Sequence, residues 1–367
     1  MTMQSMLLCF DPVDSLFFRD GRPYIKGESE QVNVVSQFPP APATLVGAVR
    51  AATARSLGWS GQGAWNDGIK QKLGDGEALG PLCFRGPVLM RDKEILFPAP
   101  ANVMYEKIGK TAVLLQPGRE QDCDLGKSVR LPAHSTNVQG GDWKPAGTMW
   151  LTCSGFEAVL RGESPGAVSL IERKSLWVHE ARVGIARNRQ TRTTEEGALY
   201  SPQHVRLRDG VSLGLWAEGL PPEALDQISQ TPQPLGGESR SAWIMAAVGE
   251  PAWPALPEKI TPHETELNYT VIVLSPLPLV ASPAPAQAIP GLPGTLVSAC
   301  FPRPVMLGGW DSIERRPLPL RPHLAPGSVL FMRADAADTD TVGTLHGACI
   351  GLRPAWGYGL IAIGTWS

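Results

Sequence analysis

The sequence predicts an α+β fold built from short strands and few long helices. Short apolar runs rich in β-branched residues recur along the chain, as in residues 269–274 (YTVIVL). One segment, residues 45–57, has its apolar side chains at helical spacing. The 39 Gly and 35 Pro make up about a fifth of the 367 residues, against an average near 12%. That composition favours loops and turns.

The chain is predicted to open with a strand, a loop and a helix. Residues 5–10 (SMLLCF) indicate a buried strand, and residues 11–24 (DPVDSLFFRDGRPY) indicate a turn-rich loop. A helix is expected over residues 45–57, with Thr44 as its N-cap and Gly58 as its stop. Its apolar face would be formed by Leu45, Val46, Val49 and Ala52, with Thr53 at the edge.

The remaining elements follow from short apolar runs. Residues 60–145 are glycine-rich and are interpreted as an insertion, with strands at 82–90 and 94–97. Residues 181–186 and 199–207 predict a long hairpin with a polar arm between its strands. Further strands are expected at 211–220, 269–274, 329–332, 348–352 and 360–366, and a loop at 281–294. Both halves begin with an apolar strand, which suits a duplicated α+β domain.

Composition excludes several classes of protein. The net charge is −2, whereas a free-standing nucleic-acid-binding protein is usually basic. No two of the six cysteines lie within four residues of each other, which excludes CxxC zinc and redox motifs and favours reduced thiols in the cytoplasm. The N-terminus lacks the basic and apolar regions of a signal peptide, and no apolar run is long enough to span a membrane.

The sequence predicts no metal site, no cofactor and no catalytic site. Asp11, Asp14 and Asp20 could bind Mg²⁺ or Ca²⁺ as a carboxylate cluster, but without EF-hand spacing they are better explained as turn and loop-bracing residues. HEARV and HETEL each lack the second histidine of a zinc protease, and the P-loop and GxSxG motifs are absent. A Ser–His–Asp arrangement of scattered residues stays open.

A basic segment is the first candidate for nucleic-acid binding. Residues 173–208 contain eight Lys and Arg against three acidic residues, an excess of five positive charges. Arg187 and Arg189 could hold phosphates through paired hydrogen bonds, and the amide and hydroxyl groups of 190–193 could add more. The alternative is a solvated arm without a partner.

A second basic set surrounds the first loop and helix. Arg19, Arg22, Lys26 and Arg50 lie in sequence near Phe17, Phe18 and Tyr24, and single-stranded RNA stacks its bases on such aromatic rings. Alternatively, Phe17 and Phe18 belong to the core. The glycines at 236–237, 308–309 and 357–359 could bring backbone N–H groups to phosphate, or could form ordinary turns.

Taken together, these blocks resemble one family. DPVDSLFFRDGRPY (11–24) followed by PPAPATLVGAVR (39–50) is similar to the opening of the third subunit of the Cmr complex, the type III-B CRISPR effector. ARVGIARNRQTRTTEEGALY (181–200) resembles the central arm of that family, and LGGESR (235–240) and GYGL (357–360) also fit.

The resemblance implies two ferredoxin-like (RRM-related) domains of the RAMP superfamily with long loop or β insertions. The first would span 1–215, with the insertion at 60–145 and a basic arm at 181–208. The second would span 216–367 and end in a glycine-rich turn. In this sequence Gly351 and the GYG turn flank residues 353–356, instead of the closely spaced glycines of a typical RAMP loop.

The resemblance also implies a non-catalytic subunit, without cofactor or metal, that binds the 5′ tag of the CRISPR RNA and caps one end of the complex. Its expected partners are the large polymerase-like subunit and the backbone RAMP subunit, with target RNA contacted indirectly. The residues expected to bind RNA are Arg19, Arg22, Lys26, Arg50, Arg182, Arg187, Arg189, Thr191, Arg192, Gly237, Arg240, Arg353, Trp356, Gly357, Tyr358 and Gly359.

An alternative function is a guide-processing RNA endonuclease of the same superfamily. Such an enzyme commonly uses histidine as a general acid or base near the 2′-hydroxyl. No histidine precedes His134, so His179 and His204 are the candidates.

Overall fold

The computed structural model describes residues 5–19, 33–124, 126–134, 141–187, 190–191, 193–249, 251–258, 260, 264–279, 291–311 and 316–367. Its helices, α1 to α5 in chain order, are Pro42–Ser56, Asp67–Leu73, Cys153–Leu160, Pro222–Ile228 and Thr339–Thr344. Its strands, β1 to β25 in chain order, are Met6–Pro12, Asn33–Val35, Cys83–Arg91, Glu94–Pro98, Val103–Glu106, Thr111–Leu114, Gln116–Cys123, Gly126–Ala133, Lys144–Pro145, Met149–Leu151, Leu170–Glu172, Trp177–Ala181, Gly184–Arg187, Thr194–Leu207, Val211–Glu218, Gln233–Pro234, Ser241–Ala246, Glu266–Val273, Leu277–Pro278, Thr295–Cys300, Val305–Asp311, Arg316–Leu324, Val329–Asp335, Trp356–Gly357 and Ile361–Thr365.

The chain forms two compact units. The first consists of Met1–Cys83, Lys174–Val248 and Met306–Arg321, and the second consists of Phe84–Arg173, Gly249–Val305 and Pro322–Ser367. The domain boundary predicted at 215 and 216 falls inside the first unit, because strand β15 runs through it. The division into two ferredoxin-like domains therefore stays a prediction, whereas the mixed α/β class with small antiparallel sheets is confirmed.

An antiparallel sheet of order β15-β1-β17-β16 lies at the centre of the first unit. Strand β1 places Leu8 between Leu215 of β15 and Ala246 of β17. Leu8 and Leu215 are fully buried. The predicted first strand is confirmed, with its end two residues later than expected.

Helix α1 packs against α2, α4 and β16 in the first unit. It begins three residues before the predicted start, because Pro42 occupies the first helical turn, where a missing N–H costs nothing. Thr44 is therefore inside the helix and does not cap it, and Ala41 is the N-cap residue. Thr53 is buried and donates a hydrogen bond to the carbonyl of Val49.

A second sheet of the first unit contains the predicted hairpin. Strands β13 and β14 pair antiparallel, while β12 pairs with the C-terminal part of β14 and β2 pairs with it in parallel. The hairpin is confirmed, although its first strand begins at Trp177 and is interrupted between β12 and β13. The first loop joins this sheet through two hydrogen bonds between the backbones of Leu16 and Val205, at 2.7 and 2.8 Å.

The larger sheets of the second unit have the strand orders β11-β10-β4-β3 and β20-β23-β18-β25, and the smaller ones are β6-β5-β9 and β7-β8. Helix α3 packs against β4, β10 and β25. Strands β3 and β4 confirm the strands predicted at 82–90 and 94–97, and the interpretation of 60–145 as an insertion stays a prediction. Strand β18, predicted at 269–274, contributes buried Leu267, Tyr269 and Val271 to the core.

One predicted strand of the second unit is wrong. Residues 348–352 form only an isolated bridge between Cys349 and Leu360. Gly351 and Arg353 both have positive φ, at 79° and 60°, so the chain turns where a strand would have to continue. Most of the loop predicted at 281–294 lies outside the described residues. No helix in the described part of the chain is long and apolar enough to cross a membrane.

Candidate nucleic-acid interface

The loop that follows β1 is anchored by two buried phenylalanines. Phe17 and Phe18 are each 5% exposed, and Phe17 stacks on the ring of His204 with 5.2 Å between the centroids. Phe18 stacks on Phe38 at 6.3 Å. The alternative that places both residues in the core is therefore confirmed, and neither ring lies on the surface where an RNA base could stack.

The glycine pair at 236–237 packs directly against this loop. The N–H of Gly237 donates to the carbonyl of Phe17 at 2.8 Å. Gly236 has a φ of 79°, and a side chain there would collide with the same carbonyl. In this conformation the N–H of Gly237 already has a partner inside the protein, and the contact of Gly237 with RNA stays a prediction.

Four charged side chains beside this loop form a closed ring of ion pairs, here called the charge ring: Asp14, Arg182, Glu180 and Arg206. The Oδ2 atom of Asp14 lies 2.7 Å from a terminal nitrogen of Arg182, and its Oδ1 atom lies 2.7 Å from a terminal nitrogen of Arg206. The Nε of Arg182 donates to one oxygen of Glu180 at 2.8 Å, and the Nε of Arg206 donates to the other at 2.5 Å. All four carboxylate oxygens are thus engaged by arginine.

Arg240 adds a third arginine to Asp14. A terminal nitrogen of Arg240 lies 3.3 Å from Oδ2 of Asp14, and its Nε donates to the carbonyl of Glu238. The three arginine side chains remain between 25% and 41% exposed. Three guanidinium groups against two carboxylates leave one net positive charge on a surface that solvent reaches.

The charges of this surface are fixed at neutral pH. Hydrogen bonds from Arg206 and then Arg182 hold the pKa of Asp14 far below its usual range, and Arg206 likewise lowers the pKa of Glu180. The same bonds raise the pKa of Arg206, through Glu180 and then Asp14. Guanidinium groups held in fixed planes are suited to bind the oxygens of a phosphate or carboxylate.

His204 lies within hydrogen-bond distance of Ser15 and below the charge ring. Its Nδ1 is 3.0 Å from the hydroxyl of Ser15, and the residue is 1% exposed. Burial, followed by the positive charges of Arg182 and Arg240, lowers the pKa of His204. His204 is therefore a neutral core residue, whereas His179, the other candidate, is exposed on β12.

Arg50 is buried inside the protein, and its predicted contact with RNA stays a prediction. Arg50 is 7% exposed and donates to the carbonyls of Leu73, Gly76 and Ala78 at 3.1, 3.1 and 3.5 Å. Its guanidinium also lies 5.0 Å from the centre of the Trp65 ring. Arg50 projects from α1 into the turn after α2, where it satisfies carbonyls that would otherwise lack donors.

The C-terminal glycine turn is also largely internal. Gly357, Tyr358 and Gly359 are buried, and the N–H groups of the two glycines donate to the carbonyls of Pro354 and Pro276. Side chains at either glycine would collide with backbone carbonyls, of Gly86 and Ile350 respectively. In this conformation the N–H groups of both glycines are already paired, and their contact with phosphate stays a prediction.

Arg353 extends this turn at its partly exposed edge. Its guanidinium lies 4.6 Å from the centre of the Trp356 ring and 5.5 Å from that of Tyr358. Trp356 is itself 9% exposed, so it lies below the arginine and is not an open stacking surface. In this turn, Arg353 is the predicted residue that the structure leaves closest to solvent.

Of the remaining predicted RNA-binding residues, some are exposed and others lie outside the described residues. Arg19 is exposed and forms an isolated bridge with Ser36, and Thr191 is exposed with its hydroxyl 2.7 Å from that of Thr193. Arg22, Lys26, Arg189 and Arg192, together with the side chain of Arg187, lie outside the described residues. Among the residues that are described, no three His, Cys, Asp or Glu side chains come together in a way that could hold a metal ion.

Sequence reasoning missed Arg206 as a member of the site and treated Asp14 only as a loop-bracing residue. In the register of β12 and β14, Glu180 lies opposite His204, so Arg206 is its diagonal neighbour on the same face. Alternation along residues 204–208 could have suggested this pair once the hairpin register was known. Asp14 is placed in the site by the bridge between Leu16 and Val205 and by the hydrogen bond from the N–H of Val13 to the carbonyl of Ser241, two contacts between distant parts of the sequence.

The sequence matches the CRISPR-associated protein (Cas_Cmr3) family over residues 8–366. The chain belongs to this family. The predicted resemblance is thereby confirmed, and membership makes the chain a subunit of a type III CRISPR effector. No curated protein matches the chain in sequence.

Solved structures of similar fold come from type III CRISPR complexes. A chain of the type III-B Cmr-beta bound to cognate target RNA has 16% identity and a TM-score of 0.50, covering 89% of this chain and 86% of that one. The same assembly bound to target RNA and AMPPnP gives 16% identity and a TM-score of 0.49 over 92% and 88%. A chain of the Csm3-Csm4 subcomplex of type III-A gives 9% and 0.41 over 90% and 94%.

Proposed function

We propose that this chain is the subunit of a type III-B CRISPR effector that binds the 5′ tag of the CRISPR RNA. The observation that carries the proposal is the cluster of Arg182, Arg206 and Arg240 around Asp14, beside the first loop of a Cas_Cmr3 family member. Three segments of the chain bring these arginines to one partly exposed surface.

The chemistry of the cluster suits an RNA backbone. Each guanidinium has five N–H donors in a plane, and the charge ring and Asp14 use only some of them. Phosphate contacts position a single strand, and its bases are then read on their edges. Arg19, an exposed residue at the end of the same loop, is a further cation for this role.

The net charge of −2 is compatible with such a role in an assembly. A subunit held beside other subunits needs only a local basic surface, since neighbouring proteins contribute to affinity. We propose the large polymerase-like subunit and the backbone RAMP subunit as those neighbours, with this chain capping one end of the complex in the cytoplasm and contacting target RNA indirectly.

We further propose that the chain does not itself cleave RNA. The endonuclease alternative needs a histidine that reaches the 2′-hydroxyl of a bound strand. His204 is 1% exposed and held between Ser15 and Phe17, which supports a structural role. Incubation of the purified chain with repeat RNA and a chelator tests this, since specific cutting lost in His179→Ala would favour the nuclease.

Substitution of Arg240 tests RNA binding most directly. Arg240 lies outside the charge ring, so Arg240→Gln should remove the excess positive charge while the ring persists. We expect affinity for an RNA carrying the repeat-derived 5′ sequence of the host's CRISPR RNA to fall about fivefold, about 1 kcal/mol. The slope of log affinity against log salt should flatten by roughly 0.7.

Arg161→Gln is the matched control. Arg161 is 45% exposed and pairs with the single acid Glu163 at 3.1 Å, in the second unit. It should leave affinity and salt slope almost unchanged in fluorescence anisotropy. Equal losses in both variants, or a native complex that contains this chain without CRISPR RNA, would contradict the proposed function.

A further inference from the structure

The charge ring has an unusual composition for a surface that binds a polyanion. Asp14 contacts all three arginines and Glu180 contacts two of them. These two carboxylates cancel two of the three positive charges and occupy N–H groups that phosphate oxygens could use. A surface selected only for RNA affinity would gain from their removal, because each free cation adds to the electrostatic attraction.

The carboxylates also provide order. Without them, three guanidinium groups on neighbouring segments would repel one another, and each long side chain would adopt many rotamers. Asp14 instead links Arg182 on the segment after β12, Arg206 on β14 and Arg240 before β17. Each guanidinium plane is thereby fixed before any RNA arrives, so less entropy is lost when a phosphate binds.

We propose that Asp14 is a positioning residue that makes this surface selective: it orients Arg182, Arg206 and Arg240 for the cognate RNA and cancels the charge that would attract any RNA. The proposal rests on the proposed function. An unrelated strand meets five charged side chains that carry one net positive charge between them, and it binds weakly. The cognate strand reaches the fixed guanidinium planes together with contacts to its bases, which an unrelated strand cannot make.

Asp14→Asn is the informative change, because it keeps the shape and one acceptor oxygen while it removes the charge. We expect affinity for an RNA of scrambled sequence and equal length to rise several-fold at low salt, with a salt slope steeper by roughly 0.7. Affinity for the RNA with the repeat-derived 5′ sequence should rise less or fall. The ratio of the two affinities should therefore drop by about fivefold or more.

Asp226→Asn is the matched control on the same unit. Asp226 is exposed on α4, and its substitution changes the net charge of the chain by the same amount. It should leave the affinity ratio unchanged. Glu180→Gln is a second variant for the case in which Asp14→Asn unfolds, and it should lower the ratio in the same direction but less, because Glu180 contacts two arginines instead of three.

The outcomes separate this inference from the proposed function. If the wild-type chain does not distinguish the two RNAs and binds neither, the proposed function fails. If the wild-type chain binds and discriminates, but Asp14→Asn behaves like Asp226→Asn, the role of Asp14 is overturned. An equal loss of affinity for both RNAs would also overturn it, because a purely structural residue would produce that result.

Discussion

The hydroxyl of Ser15 lies 3.0 Å from Nδ1 of His204, although the two residues are 189 positions apart in the chain. Phe17 stacks on the same imidazole at 5.2 Å. The buried His204 thus holds the first loop to strand β14, in addition to the two backbone hydrogen bonds between Leu16 and Val205. The charge ring, which joins residues of that loop and that strand, depends on the same junction.

The buried His204 should make the stability of the chain depend on pH. Its folded pKa is lowered by burial and by Arg182 and Arg240, so the unfolded chain binds the proton more readily. The free energy of unfolding should therefore be at its full value above about pH 6.5, the unfolded pKa, and should fall as the pH drops below it. Urea unfolding across this range measures the slope.

His204→Gln should remove that part of the slope and lower stability at neutral pH. His134→Gln, which changes an exposed histidine, is the control for the loss of an imidazole. A wild-type chain whose stability is flat from about pH 7 to about pH 5 would contradict the buried, neutral state of His204.

A single methyl group added at Gly236 should lower the stability of the chain strongly. Alanine at this position would have a φ of 79° and would collide with the carbonyl of Phe17, with the Phe18 ring 3.0 Å away. We expect Gly236→Ala to lower the free energy of unfolding by about 3 kcal/mol, of which about 1 kcal/mol is due to the positive φ. Gly58→Ala isolates that smaller part, because Gly58 has a φ of 94° and open space around it. Equal losses of stability in the two variants would show that the loop with Phe17 and Phe18 moves away from residue 236 at no cost.

Local patterns in the sequence predicted the elements, and long-range contacts decided the site. The first strand, helix α1 and the hairpin follow from spacing within about fifteen residues, which the sequence displays directly. The burial of Arg50 depends on a turn 23 to 28 residues away, and the contacts of Asp14 depend on residues 168 to 226 positions away. A count of positive charges identified the basic region but could not show that Asp14, far away in the sequence, joins Glu180 in pairing with Arg182 and Arg206.

Substitution of Arg50 should lower the stability of the chain, although its sequence context suggested a role in RNA binding. Arg50→Met would leave the carbonyls of Leu73, Gly76 and Ala78 without their donor, which should cost about 2–4 kcal/mol. Arg50→Lys should recover little of this, because one ammonium group lacks the planar fork that reaches all three carbonyls. Arg55→Met, on the exposed face of the same helix, is the control for urea unfolding. A stable Arg50→Lys variant with weakened RNA affinity would instead favour the predicted RNA binding.

We expect the imidazole of His346 to hold the proline-rich segment 251–257 in place. Its Nδ1 accepts a hydrogen bond from the N–H of Ile363 at 3.1 Å, so Nε2 carries the hydrogen that the carbonyl of Pro254 accepts at 2.8 Å. Trp253 packs against this imidazole and against Phe97, with ring centres 6.4 and 5.7 Å away. His346→Phe breaks both hydrogen bonds and should lower stability by about 1–3 kcal/mol.

In His346→Phe, segment 251–257 should be cut faster in limited proteolysis. Without the hydrogen bond to the carbonyl of Pro254, local unfolding of the segment costs less free energy. His346→Asn keeps an acceptor near the position of Nδ1 and should give an intermediate rate. His134→Phe is the control on the surface and should match the wild type. Faster cleavage throughout the chain would indicate global unfolding, whereas an unchanged rate at 251–257 would show that the packing of Trp253 alone holds the segment.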